Sequence, residues 1–147
     1  MSRSPNHGSG PHRDQLRRLK EVQLRQLQFR RRTLGEAHPG TLQSMDTLAE
    51  TLSALGELER ARTLVEDALH VREESLGRQH PAVTETAWTL FHTLDRLDER
   101  AALRAVHARH LAWLAGSDPS QLEDSQRRIR DWIVLIPKGR FGDPANA

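Results

Sequence analysis

The side chains that could do chemistry are few and of particular kinds. His107 and His110 stand three residues apart, a spacing that puts both on one face of a helix, where they could share a metal if a third ligand such as His92 approached. Two ligands do not complete a zinc site, and no carboxylate-histidine motif of known mechanism surrounds them, so no metal and no other cofactor is expected. The carboxylates are scattered rather than paired, and the chain has neither a Gly-rich phosphate loop nor a nucleophile elbow. It holds no cysteine, which removes disulfides, thiolate metal sites and a cysteine nucleophile. These residues predict a non-enzymatic protein.

What remains is chemistry of recognition. Twenty arginines stand against two lysines, Lys20 and Lys138, the usage of a GC-rich coding background and hence of a high-GC bacterium. Residues 1–33 carry nine Lys/Arg and two Asp/Glu, whereas residues 34–147 carry thirteen and eighteen, so the two parts differ in sign. From Asp14 onward, helical spacing gathers Leu16, Leu19, Val22, Leu27 and Phe29 on one side and Arg17, Arg18, Arg25, Arg31 and Arg32 on the other. Such a basic face could grip phosphates. No aromatic side chain interleaves with it and no nucleic-acid fold is recognisable, so a surface for an acidic protein partner is the better reading, with nucleic-acid association as the alternative.

The elements that position these groups are read from a recurrence. "RRTLGEAHPGTLQ" (Arg31 to Gln43) returns as "EESLGRQHPAVTE" (Glu73 to Glu85), a Leu-Gly, two residues, His-Pro phrase displaced by 42 positions. A fixed period of that length marks stacked repeats. Gly35 and Gly77 read as left-handed helix ends, Pro39 and Pro81 as first-turn residues of the next helix, and His38 and His80 as helix-start residues. Between the copies, Met45, Leu48, Ala49, Leu52 and Leu55 mark one helical face, Gly56 breaks it, and Leu58, Ala61, Leu64, Val65, Ala68 and Leu69 mark a second. One period is therefore a helical hairpin. The next gives Ala87, Leu90, Phe91, Leu94 and Leu97, then Leu103, Val106 and Leu111, with Asp98 in place of Gly56. Asp118 as N-cap, Pro119 and Gln121 make a capping-box pattern before the stripe Leu122, Ile129, Trp132, Ile133 and Ile136, which Pro137 ends.

These positions resemble the tetratricopeptide repeat family, in its 42-residue kinesin-light-chain-like form, over roughly residues 19 to 114. The resemblance implies an all-α, short α-solenoid: a half-repeat helix at 13–34, a first repeat at 38–76, a divergent second repeat at 80–116 and a capping helix at 118–136, between disordered tails at 1–12 and 137–147. The second repeat departs from the first at Phe91, His107 and His110, where the first has Ala49, Val65 and Ala68, so its second helix is expected to pack differently. The family's members hold peptides or partner proteins in a concave groove lined by the first helix of each repeat. Carried over by position, that groove is lined by Gln43, Asp46, Thr47, Glu50 and Ala54, then by Glu85, Trp88, Thr89, His92 and Arg96. Asp46, Thr47, Trp88 and Thr89 stand where related repeats carry asparagines that hold a peptide backbone.

Trp88 has two readings, a rigid anchor exposed in the groove or a side chain packed beneath a neighbouring segment. At 147 residues and 36% apolar composition the chain has room for one core. No apolar run approaches the ~20 residues of a membrane span, and the opening "MSRSPNHGSGPHRDQ" has no signal-like stretch, so a soluble, cytoplasmic protein is expected. The uncovered face of the first helix is expected either to self-associate or to dock a partner, and the C-terminal stripe to lie over Leu103, Val106 and Leu111. A third functional reading makes the chain the end of a longer multidomain regulator.

Overall fold

A computed structural model of the chain describes residues 10–135. Six α-helices follow one another: α1 Pro11–Leu34, α2 Pro39–Ala54, α3 Leu58–Leu76, α4 Pro81–Arg96, α5 Arg100–Val106 and α6 Asp124–Leu135, and no strand occurs among the described residues. The fold is all-α, built of consecutive helical hairpins. The C-terminal tail, Ile136 and most of the N-terminal tail lie outside the described residues. Pro11 and His12 are instead the first residues of α1, with proline where a missing N–H costs nothing.

The recurring phrase is a stop followed by a start. Gly35 and Gly77 have φ of 88° and 87°, a conformation that suits a residue without Cβ, and their N–H groups donate to Arg31 and Glu73 carbonyls in the helices they end. The His38 and His80 rings then cap the next helices, Nδ1 accepting from the N–H of Gly40 at 2.9 Å and of Ala82 at 3.1 Å. Inside the hairpins, Gly56 has φ 79° and its counterpart Asp98 is held at φ 58°. Gly56→Ala meets no atom within 4 Å, so its cost is backbone strain alone, about 1–2 kcal/mol. Asp98→Gly should move stability the opposite way, by less than about 1 kcal/mol, since its exposed pair with Arg100 contributes little. Urea denaturation of the two variants checks both signs.

The chain divides between Leu64 and Val65, inside α3, into two compact units. In the first, α1 packs on α2. Gln23 and Leu27 are the buried residues of α1, while Leu19, Val22 and Phe29 are exposed, contrary to the single apolar side read from sequence. At roughly 100° per residue, Val22 and Phe29 lie about 140–160° around the helix from Leu27, too far to share its burial. Arg30 fastens the pair, donating through Nη1 to the Gly40 carbonyl at 3.0 Å and to Ser44 Oγ at 2.8 Å. Lys20 Nζ meets Glu57 Oε2 at 3.0 Å, and Met45, Leu48, Ala49 and Leu52 form the apolar side of α2.

In the second unit α4 is the centre, with α5, α6 and the segment between them against it. Arg72 donates to Thr86 Oγ1 at 2.9 Å, and both partners stand 42 residues after Arg30 and Ser44, so the fastening repeats with the period. The second hairpin departs from the first as its sequence predicts. The α-helix stops at Val106, residues His107–Leu111 form a π-helical turn, and Ala112–Gly116 tighten into a 3-10 helix. Phe91 occupies the small position of Ala49 and is 1% exposed, and His110 occupies that of Ala68 and is 5% exposed. A phenyl ring and an imidazole fit where two alanines sat only if the second helix yields, and a one-residue π-bulge is how it yields.

The C-terminal helix differs from its expectation in start and place. Asp118 does cap, accepting from Ser120 N–H at 2.9 Å, but what it caps is a single 3-10 turn, Pro119–Gln121. The α-helix begins at Asp124, where Gln126 Oε1 reaches back to the Glu123 N–H at 3.3 Å. This α6 lies against α4 and the 3-10 helix Ala112–Gly116 rather than over Leu103, Val106 and Leu111. The period accounts for it: Gln126, Ile129, Trp132 and Ile133 follow Thr84, Ala87, Leu90 and Phe91 by 42 residues, so α6 stands as the first helix of a third repeat. Gln126 locks it there, Nε2 donating to the Gln79 carbonyl at 2.9 Å and to Thr84 Oγ1 at 3.1 Å.

Candidate partner-binding cleft

On α4, helical spacing sends Glu85, Trp88, Thr89, His92 and Arg96 to the side opposite Ala87, Leu90 and Leu94; all are exposed except Trp88, which is half-buried. The Trp88 ring lies parallel to Phe91, with centroids 5.5 Å apart, and meets Trp132 of α6 edge-on at 4.6 Å and His92 at 4.4 Å. Trp88 is therefore packed on one side and open on the other. Its open side and Trp132 wall a cleft of about 360 Å³, completed by Glu85 and Thr89 from α4 and Ser125, Arg128 and Ile129 from α6. The α6 contribution was missed from sequence, because the "SDPS" cap signal hid the 42-residue register that would have revealed it.

His92 is exposed overall, but its ring lies against Trp88 and Phe91, and desolvation of that side pushes the imidazole below its ordinary range, with Asp95 opposing, while burial does the same to His107. Both are neutral at pH 7. A histidine depressed in the folded state contributes stability above its unfolded value of about 6.5 that is lost as pH falls through the folded value. The melting temperature should therefore drop between pH 7.5 and 5, and His92→Gln with His107→Gln should flatten that drop, as thermal melts across the range will show.

The matching side of α2 presents Gln43, Thr47, Glu50 and Ala54 exposed and Asp46 half-buried, with Thr47 Oγ1 bonded to the Gln43 carbonyl at 2.9 Å. It offers polar contacts and no aromatic wall. The five arginines assigned to one basic face of α1 do not act alike: Arg17 pairs with Asp14 at 3.3 Å and half-buried Arg31 with Glu36 at 3.1 Å, while Arg18, Arg25 and Arg32 are exposed.

His107 and His110 diverge. His110 Nε2 bonds Glu73 Oε2 at 2.8 Å, whereas the His107 ring tilts toward Phe91 at 6.4 Å. Glu73 also takes Arg109 Nη2 at 2.6 Å, and the His110 and Arg109 hydrogen bonds hold its carboxyl below the usual carboxylate range against the effect of burial. This cluster rims a second cavity of about 370 Å³ floored by Leu69, Leu90, Leu94 and Val106. Among the described residues no three His, Asp or Glu side chains converge as metal ligands.

Comparison of the chain with curated proteins returns no match. Residues 41–82 match the family model for the tetratricopeptide repeat. The matched stretch is one full period, from Thr41 at the start of α2 to Ala82 at the start of α4. The sequence period and the helical hairpins agree with this match, and residues 41–82 are similar to a tetratricopeptide repeat, a family whose members typically serve protein–protein interaction.

Proposed function

We propose that this protein is a regulatory or scaffolding module of the kinesin-light-chain-like kind that holds a peptide or partner protein in the cytoplasm, and that the cleft between α4 and α6 is where it grips. The observation that carries the proposal is the tryptophan corner. Rigid, half-desolvated aromatic walls are where interface energy concentrates, and Trp88 and Trp132 present two such walls at 78° to each other. The two rings touch each other, so an apolar or aromatic partner side chain rests against both in the corner they form. Glu85 on one helix and Arg128 on the other then set the direction of the polar flanks. The exposed side of α2, with Gln43, Asp46, Thr47, Glu50 and Ala54, offers polar contacts to the same class of partner. No helix among the described residues is long and apolar enough to cross a membrane.

Thr89→Arg tests the cleft without disturbing the packed rings, because Thr89 is exposed and, among the described residues, its hydroxyl bonds only the Glu85 carbonyl of its own helix, at 3.2 Å. Affinity capture from the native cell with wild type and this variant side by side should show a protein retained by the first and lost at least tenfold by the second, at equal melting temperature. Capture of nucleic acid instead, released steeply as salt rises, would replace this reading with phosphate binding through Arg18, Arg25 and Arg32.

A further inference from the structure

We propose that the outward face of α1 is a second docking surface, separate from the α4–α6 cleft, and that its occupant is an amphipathic helix of a partner protein whose apolar stripe is edged by aspartate and glutamate. Leu19, Val22 and Phe29 are 44%, 62% and 59% exposed, three large apolar side chains in line on one helix among the described residues. Gln26 continues the stripe between them, so residues 19, 22, 26 and 29 form a straight ridge of about 15 Å.

The repeat says what kind of element belongs on this ridge. Leu19 and Gln26 stand 42 residues before Ala61 and Ala68, which are fully buried in the hairpin helix α3. The same register positions that a hairpin closes are open on α1. A straight ridge of side chains at three- and four-residue spacing is matched by the grooves of another helix.

Charge chooses the occupant. Contrary to the opposite basic face read from sequence, Arg18 and Arg25 lie within about 60° of Val22 and Phe29 around the helix, both are exposed, and neither has an ion pair among the described residues. α1 as a whole carries eight Lys/Arg against Asp14 and Glu21. A second copy of α1 laid on this face would bring like charges together, and α6, whose Arg127, Arg128 and Arg130 outnumber Asp124 and Asp131, is net positive as well. An acidic helix gains where both are repelled.

The test uses the full chain and designed peptides: an amphipathic helix of leucine and glutamate, and the same helix with lysine for glutamate. The leucine–glutamate peptide should bind the wild type, Val22→Asp with Phe29→Asp should weaken it at least tenfold, and both exposed positions should leave the melt unchanged. Arg18→Glu with Arg25→Glu should reverse the preference, losing the glutamate peptide and gaining the lysine one. Thr89→Arg should leave peptide binding intact, so the result stands apart from that of the cleft. Equal binding of both peptides, no binding, or loss of these variants' effect would overturn the proposal. So would sedimentation showing that the face pairs with a second copy, or binding to phosphatidylserine vesicles or to RNA with no binding of the glutamate peptide.

Discussion

Phe91→Ala is expected to cost about 3–5 kcal/mol, the range for truncating a fully buried aromatic, and to unfold the second unit ahead of the first. Phe91 is 1% exposed and lies against four rings, Trp88 at 5.5 Å, His92 at 5.7 Å, Trp132 at 5.8 Å and His107 at 6.4 Å. It also sits where the first hairpin has Ala49. Alanine there restores the repeat's own residue, yet the surrounding π-turn has already adjusted to a phenyl ring, so the substitution leaves a cavity rather than a closer hairpin. Hydrogen exchange resolved by segment should show faster exchange in α4 to α6 and little change in α1 and α2. An increase in stability would mean that the π-turn is strain which Phe91 imposes and its loss relieves.

Ending the chain after Ser117 is expected to be still more damaging. It removes α6 and with it the Gln126 bonds to Gln79 and Thr84, and it uncovers Trp88 and Phe91. A repeat array needs each apolar face covered by a neighbour, and α6 is the neighbour on α4. The truncated chain should be poorly helical or insoluble by circular dichroism and sedimentation. Soluble, cooperative unfolding at the wild-type midpoint would show that α6 is a passenger.

The period of 42, the glycine stops, the histidine caps and the hairpin faces were all legible because each is a local signal: a backbone sign, a side chain reaching two residues on, an apolar spacing. Three things were not. The face of α1 was misread because Leu19, Val22 and Phe29 are apolar whether or not a neighbour covers them, and periodicity reports residue type, not coverage. The start of α6 was misread because Asp118 and Pro119 are a genuine cap, and nothing local distinguishes a cap on one 3-10 turn from a cap on a helix. The Glu73–His110 bond spans 37 residues and depends on a π-turn that no pattern announces. The groove residues carried over from the family resemblance come from α2 and α4 alone, whereas the lining of the cleft also takes Ser125, Arg128, Ile129 and Trp132 from α6.

Tryptophan emission tests the central claim most directly, since two of the three tryptophans wall the cleft and the third, Trp113, is tied by its indole N–H to the His110 carbonyl at 2.8 Å and supplies a steady background. With the captured partner added to saturation, Trp88 and Trp132 should lose accessibility to acrylamide and shift their emission, and Thr89→Arg should abolish the change. Saturating partner that leaves both quenching and emission as in the free protein would contradict binding at the cleft.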